Sequence, residues 1–410
     1  MILSIRTSIL TLITLSIYYL IFKFNLIDYL ALGSSILFVD YGDITKALNC
    51  INFGYSSYSD IPEGPQEMGC RGFSYGPIIL DLIPFKNKFF NFYDNIFPIV
   101  LIVLFSFFVI SIINPQKKII LFLTFLSLFN PATLLMLQRM NIDILFVILL
   151  IIISYNRIYP INWFFVIYSF LTKFYPFIFG MIIFMENKFR NKFNLLIIFI
   201  LIFFSSIIYI FFNLEKYSYI MNSGWAMGLH YLFSIKTLPK IFKELFDLHY
   251  GFLLLVIFGS FIYFNIKLIK NNYSSVFKLD FSPQEKMFIL SANVLIFCFV
   301  VFSNAYYREV FLILTIPYLL RYLSNDKFKI IIKLIIIKFL FNFLYILFLN
   351  FETHYHVEGQ RIYTNSFLLI SFAKGIIDYL LMVFLSCIVM IKNMKLAYHY
   401  FSFKFLEKYY

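Results

Sequence analysis

Apolar residues in this chain come in long unbroken runs and not in alternation. Stretches of Ile, Leu, Phe and Val continue near 3–22, 95–113, 119–137, 142–155, 159–172, 174–186, 193–213, 250–267, 286–302, 308–321, 329–349 and 367–391. Alternation would predict half-buried strands, and a 3.6-residue stripe would predict helices with one wet face. Runs that are apolar all round predict helices with no wet face. Their lengths cluster near the roughly 20 residues that cross a bilayer core. The pattern therefore predicts an all-α integral membrane protein, a polytopic bundle of about twelve transmembrane helices. It forms one domain over 1–410, with no linker and no internal repeat. The runs 159–172 and 174–186 are each short, and one long tilted helix is the alternative to two spans. Met1 to Phe22 carries Arg6 ahead of its apolar stretch, and no small-residue cleavage site follows, so it reads as an uncleaved first span. The segment near 26–39 reads as lying partly in the interface.

Polar positions orient the bundle. With the N-terminus cytoplasmic, the short inner loops hold Lys117 and Lys118, Arg157, then Lys188, Arg190 and Lys192. Further inner positions are Lys267, Lys270, Lys278, Lys286, Arg321, Lys327 and Lys329, and the tail adds Lys392, Lys395, Lys404 and Lys408. Short basic inner loops are what positive-inside topology requires. The cluster after 186 favours two spans over 159–186. The implied location is the inner (plasma) membrane, multi-pass, with both termini cytoplasmic. Three longer loops fall outside: a large first extracytoplasmic loop at 23–94, then 214–249 and 350–366. Loops of this length are often functional. The second holds Trp225, His230 and a stretch from Leu238 to Leu248 that predicts an amphipathic interfacial helix. The third holds Glu352, His354, His356, Glu358 and Arg361.

Composition narrows the picture further. The chain is 61% hydrophobic and only 13% charged, against about 25% charged in an average soluble domain. A soluble fold could not hide that much apolar surface, so the lipid bilayer is an implied partner. The net charge of +13 is accounted for by the inner loops, and nucleic acid is not an implied partner. Of four cysteines, Cys298 and Cys387 lie in apolar runs, whereas Cys50 and Cys70 share the first outer loop. In an oxidising compartment those two predict a disulfide, contributing about 3 kcal/mol in the chain-entropy model. Two free thiols are the alternative.

The unusual polar residues converge on the outer side in this topology. Asp40 and Asp43 follow the first helical region. Arg139, Asn141 and Asp143 form a tight turn, as do Lys173 and Tyr175, and Tyr307, Arg308 and Glu309 form another. Ionisable residues at membrane depth are expensive and usually mark a site or pathway. A carboxylate there can take a proton from an acceptor hydroxyl. Arg as a bidentate fork and Lys as a point charge can hold a lipid-linked phosphate. Bland roles stand beside these: Asp143 capping its helix, Arg139 and Lys173 snorkelling to the interface, Arg308 and Glu309 forming a plain ion pair. His354 and His356 have a spacing that suits a metal on a strand, but a lone pair in a loop is a weak signal, and no metal site is assigned. No phosphate loop, dinucleotide fingerprint or zinc signature is present. No cofactor is implied, and a primary pump is argued against.

The order of these motifs resembles the GT-C-fold membrane glycosyltransferases, most closely the family 87 type that use polyprenyl-phosphate mannose. Gly42-Asp43, then Ala47-Leu48, Gly54-Tyr55 and Tyr75-Gly76-Pro77, are similar to that family's first outer loop. Asn130-Pro131 running into Gln138-Arg139-Met140-Asn141-Ile142-Asp143 is similar to its Glu-Arg-Gly-Asn-Asp turn. Lys173-Phe174-Tyr175-Pro176 is similar to its Lys-x-Tyr-Pro turn, and Asn304 to Leu312 to its Tyr-Arg-x-x-Phe-Leu segment. Gln138 and Met140 stand where Glu and Gly are commoner, and Gly76 replaces a proline. The resemblance spans roughly residues 40–320. It implies an inverting transfer of a sugar from a polyprenyl-phosphate donor to a lipid or glycan acceptor outside the cytoplasm. It implies Asp43 as the base, with Asp40 as the alternative, and Arg139, Lys173 and Arg308 at the donor phosphate. Tyr75, Asn141, Asp143, Tyr175, Trp225 and Tyr307 are then substrate-binding. Two competing readings are an O-antigen or exopolysaccharide polymerase, and a non-catalytic glycolipid flippase or transporter. The latter predicts charges in mid-helix.

Overall fold

The computed structural model describes residues 4–26, 37–55, 75–81, 90–173, 175–185, 192–216, 232–270, 279–301, 304–351, 355–357, 360–362 and 364–401. In chain order its helices begin with α1 (Ile5–Lys23), α2 (Val39–Asn52), α3 (Ile78–Asp81), α4 (Phe90–Ile113), α5 (Lys118–Phe129) and α6 (Pro131–Arg139). They continue with α7 (Asp143–Tyr155), α8 (Tyr159–Thr172), a first 3₁₀ helix (Tyr175–Met185) and α9 (Lys192–Phe212). Then come α10 (Thr237–Phe246), α11 (Tyr250–Lys270), α12 (Pro283–Val301), a second 3₁₀ helix (Tyr306–Thr315), α13 (Ile316–Arg321), α14 (Asp326–Phe351) and α15 (Asn365–Phe401). Two short antiparallel pairs join Leu232–Phe233 to Asn304–Ala305 and Tyr355–Val357 to Gln360–Ile362.

The all-α membrane class agrees with six helices, among the described residues, long and apolar enough to cross a bilayer, or seven if α5 and α6 count as one bent span. Among the described residues the expected twelve do not appear as twelve straight helices, because several apolar runs are broken. The run 119–137 bends by 44° between α5 and α6. Pro131 lacks an N–H, and it pushes Asn130 out of the helical region to ψ 138°. The runs 174–186 and 308–321 wind largely as 3₁₀ helix. At about 2.0 Å per residue, a 3₁₀ segment of this length reaches roughly 20 Å, more than an α-helix of the same residues. α7 and α8 are short apolar helices. Asp40 and Asp43, expected in a loop, lie on α2, whose Ile44, Ala47 and Leu48 turn a buried face inward.

The chain divides into two compact units. The first comprises residues 1–35, 106–135 and 227–410; the second comprises 36–105 and 136–226. Helices in lipid gain little by leaving an equally apolar solvent, so packing and polar ties decide which helices meet. In the first unit those ties set the registers. Tyr18 Oη donates to Leu128 O at 2.9 Å, and Arg6 Nη1 to Gln116 Oε1 at 3.2 Å, so α1 runs parallel to α5. Ser260 and Tyr379 hydroxyls meet at 2.6 Å, and Ser386 Oγ donates to Asn265 Oδ1 at 2.5 Å, so α11 runs parallel to α15. Lys392 reaches the buried Glu285, and Arg321 pairs with Asp280 at 2.9 Å. Lys267, Lys270, Arg321, Lys329 and Lys392 consequently gather toward one end of this unit, while Arg6, Lys117 and Lys118 gather at one end of α1 and α5. The amphipathic helix expected from Leu238 onward forms as α10. Its Ile241 packs on Leu368, and Gly375 leaves room for Leu238, whose Cδ2 would lie 2.9 Å from an added Cβ.

In the second unit, α2, α3, the α6–α7 turn and the end of α8 are tied by backbone bonds. Phe38 N–H donates to Gln138 O at 2.7 Å and Gly76 N–H to Thr172 O at 2.9 Å. Both acceptors are carbonyls at helix C-termini that have no partner within their own helix.

Removing one partner of a buried pair leaves an uncompensated charge. Lys392→Met is expected to cost on the order of 3 kcal/mol in thermal unfolding of the detergent-solubilised protein. The exposed pair Lys329–Asp326 is the control, and Lys329→Ala is expected to leave the transition where it is.

Candidate functional site

The α6–α7 turn is the local device on which the site is built. Asn141 N–H bonds Met136 O at 3.0 Å and Met140 N–H bonds Leu137 O at 3.1 Å, with Met140 at φ +48°. This is a Schellman ending, in which the residue after the C-cap is left-handed. Glycine is the easy residue at such a position, which gives a physical reason for it to be common there. Here a buried methionine takes the left-handed conformation. The turn delivers Arg139, Asn141 and Asp143 within five residues.

Asn141 is 2% exposed and holds two ion pairs together. Its Nδ2 donates to Asp40 Oδ2 at 2.5 Å. Its Oδ1 accepts from Lys173 Nζ at 3.2 Å and from the Asp143 N–H at 3.1 Å. On one side, Arg139 clamps Asp40 Oδ1 through Nε at 3.0 Å and Nη2 at 2.5 Å. On the other, Asp143 Oδ1 accepts from Lys173 Nζ and Tyr175 Oη, each at 2.6 Å. Lys173 Nζ also stands 5.0 Å from the Tyr75 ring centre and 5.9 Å from that of Tyr175. Asp143 stands in the first turn of α7, where its carboxylate suits the helix dipole. Asp143 is the first residue of α7 after Ile142, and the side chain that receives its N–H is Asn141. The Asp143 carboxylate serves Lys173 and Tyr175.

Asp43 sits one helical turn beyond Asp40 on α2 and is exposed, unlike Asp40 at 7%. Even so, protein packed around it withdraws enough water to push its carboxyl above the usual carboxylate range. The Asp40 charge adds to that push, against the pull of Lys46 and Arg139. Of the two aspartates, one is locked in an ion pair and an amide bond, and the other stands at the surface with a raised proton affinity.

The structure thus brings Asp40, Asp43, Tyr75, Arg139, Asn141, Asp143, Lys173 and Tyr175 together in the second unit. Asn141 and the Oδ1 atom of Asp143 take part in building it. Tyr307 and Arg308 belong to the first unit, on the second 3₁₀ helix, with Arg308 half-buried; the Tyr307 side chain is outside the described residues. Trp225, His230, His354, Glu352 and Glu358 lie outside the described residues. Cys50 is fully buried and disulfide-bonded, Cys298 and Cys387 are free, and Cys70 lies outside the described residues.

One cluster was not foreseen. In the first unit, Glu309, Lys338, Asp378 and Lys374 form a closed ring of charges, each side chain at most 6% exposed. Lys338 Nζ lies 2.8 Å from Glu309 Oε1 and 2.5 Å from Asp378 Oδ1; Lys374 Nζ lies 3.1 Å from Glu309 Oε1 and 3.0 Å from Asp378 Oδ2. Asn342 donates to Glu309 Oε2 at 2.8 Å and to Asn130 Oδ1, at the bend of α5–α6, at 3.1 Å. Glu309 was expected at an outer turn, as the partner of Arg308; its carboxylate is instead taken by Lys338, Lys374 and Asn342. Lys338 lies about 18 Å along α14 from its start, at 1.5 Å per residue. The signal was available as lone charges in mid-run, which averaging over an apolar window hides.

Asn141→Ala is expected to destabilise the chain by on the order of 3 kcal/mol, because it leaves an Asp40 oxygen, the Lys173 ammonium and the Asp143 N–H each short of a partner. Asn141→Asp adds a third carboxylate between two others and is expected to cost more at neutral pH. That excess shrinks as pH falls, because the crowded carboxyl takes up a proton first. Thermal unfolding of both variants across pH checks this. Compared with protein families, with curated proteins and with solved structures, the chain matches none.

Proposed function

We propose that the chain transfers a sugar from a polyprenyl-phosphate donor to a lipid or glycan acceptor at the extracytoplasmic face of the inner membrane. The observation that carries this reading is the division of labour between two neighbouring aspartates. Asp40 is held by Arg139 and Asn141 and serves the architecture, whereas the exposed Asp43 has the raised proton affinity that suits a general base. Asp43 takes the proton of the acceptor hydroxyl as its oxygen attacks the anomeric carbon. The bond from that carbon to the phosphate oxygen breaks, and the phosphate leaves with the electron pair, so the configuration inverts. Arg139, about two-fifths exposed in its side chain, and Lys173 supply positive charge for the departing phosphate. Tyr75 and Tyr175 flank Lys173 and offer faces on which a sugar can stack. Tyr307, Arg308 and Trp225 enter the reading through the motif resemblance alone.

Two further features support the orientation. A disulfide at Cys50, on the same helix as both aspartates, fits an oxidising compartment. The gathering of Lys267, Lys270, Arg321, Lys329 and Lys392 toward one end of the first unit fits a cytoplasmic end.

One observation favours a second reading. A closed ring of buried charges in apolar helices is a feature that a glycolipid transporter would use. Movement of a labelled glycolipid across vesicles reconstituted with the protein, abolished by Lys338→Met, would select that reading.

In membranes with matched expression, Asp43→Asn is expected to lower sugar transfer by 10²- to 10⁴-fold, the usual contribution of a positioned base, without lowering the unfolding temperature. Asp40→Asn is expected to lose transfer and also unfold earlier, since it breaks the clamp. The base works deprotonated, so wild-type kcat/KM falls as pH drops through an apparent pKa above the usual carboxylate range, and that acidic limb is absent from residual Asp43→Asn activity. Transfer unaffected by Asp43→Asn would remove it from the mechanism.

A further inference from the structure

α10 carries cations at the wrong end. A helix N-terminus favours anions and a C-terminus favours cations. Lys236 stands at the N-cap and Lys240 one turn on, with no acidic residue in the first turn and no side-chain cap. Four residues apart, the two ammoniums share one helix face, where like charges repel. Lys243 continues that face. Lys236 and Lys240 are half-buried, and neither has a carboxylate partner among the described residues. Protein packed around Lys240 holds its ammonium below the usual lysine range, and the Lys236 charge adds to that. Glu244 follows Lys240 by one turn but is exposed and bonds none of the three lysines; Asp247 stands at the C-cap.

A hydroxyl at the same end also lacks a partner. Thr237, the first residue of α10, is 7% exposed, and its Oγ1 bonds nothing among the described residues. The apolar face of α10 is covered, with Leu238 against Gly375 and Ile241 against Leu368 of α15. The lysine face points away from that contact, since residues 236, 240 and 243 lie opposite 238 and 241 at 3.6 residues per turn. Only Asp247, Leu248 and His249 join α10 to α11, a span left largely uncovered by protein, with Phe252, Leu255 and Val256 exposed. So short a link keeps α10 at headgroup level, on the membrane face opposite Lys267 and Lys270. Its exposed Phe246 and Leu248 suit the acyl boundary.

We propose that the Lys236–Lys240 end of α10, extended by Lys243, binds the phosphate headgroup of an anionic bilayer lipid. The lipid supplies the negative charge that the helix dipole and the two ammoniums lack, and the Thr237 hydroxyl offers a further donor. Free phosphate would meet the same cations, but the uncovered apolar surface of α11 beside them favours a ligand with acyl chains. Nothing in this site depends on sugar transfer.

The test uses the full chain, delipidated in a neutral detergent, with thermal unfolding titrated against phosphatidylglycerol, phosphatidylcholine or inorganic phosphate. Phosphatidylglycerol is expected to raise the unfolding temperature saturably, and the other two are not. Lys240→Gln is expected to weaken the apparent affinity for phosphatidylglycerol about fivefold, and the triple variant Lys236→Gln, Lys240→Gln, Lys243→Gln about a hundredfold. The exposed pair Lys117→Gln, Lys118→Gln is the control and is expected to leave the affinity unchanged. Without lipid, Lys240→Gln is expected to unfold at the wild-type temperature or above it, because an unmatched charge is gone. A lysine with a merely structural role would lower the temperature with or without lipid. Should the triple variant fail to fold, Lys240→Gln alone is read the same way. No stabilisation of the wild type by phosphatidylglycerol, equal stabilisation by phosphatidylcholine or by inorganic phosphate, or an affinity unchanged in the variants overturns the proposal.

Discussion

A single side-chain amide, that of Asn141, holds the second unit's polar cluster together. An amide has a donor end and an acceptor end, and here the two ends face different ion pairs. The donor end faces the Asp40 carboxylate clamped by Arg139; the acceptor end faces Lys173 and the first N–H of α7. No other residue of that size can satisfy both faces: Asp would repel the first, and Leu would satisfy neither. The amide is held in place by the Schellman ending of α6, with Met140 left-handed. Three separate stretches of chain, the start of α2, the α6–α7 turn and the end of α8, thereby converge on a few ångströms without any contribution from sheet structure.

The same logic recurs in the first unit at larger cost. In lipid there is little hydrophobic gain when helices associate, so a few polar ties carry the register. Tyr18, Asn130, Ser260, Asn265 and Asn342 each tie two elements by a hydrogen bond. The four-ion ring is the extreme case, tying the second 3₁₀ helix to α14 and α15. Satisfying every charge within about 3 Å is what makes four ions tolerable in a low dielectric.

Much of the second-unit cluster could be read in the sequence, because its residues stand at breaks between apolar runs. A polar residue at a break stands out against its neighbours, as Arg139, Asn141, Asp143, Lys173 and Tyr175 do. The class of the chain was equally plain from the runs themselves. The number of straight spans was not, because run length does not report a bend at Asn130-Pro131 or a 3₁₀ winding after Tyr175 and Tyr306. Asn-Pro is a recognised helix-breaking pair and was there to be used. The helical setting of Asp40 and Asp43 was hidden by the Gly and Tyr around them, although Val39, Ile44, Ala47 and Leu48 carry helical spacing. Lys338, Lys374 and Asp378 were lost for the opposite reason to Asn141. Each is one charge among many Ile, Leu and Phe, and a pattern of runs treats it as an exception.

Sugar transfer by the cluster around Asp43, as proposed, takes place on the outer side of the membrane. The most direct test follows labelled sugar from a water-dispersible short-chain polyprenyl-phosphate donor, in sealed right-side-out and sealed inverted vesicles made from the same cells. Transfer is expected in right-side-out vesicles, with inverted vesicles active only after they are opened by detergent. Transfer confined to sealed inverted vesicles, or equal in both, would contradict the claim.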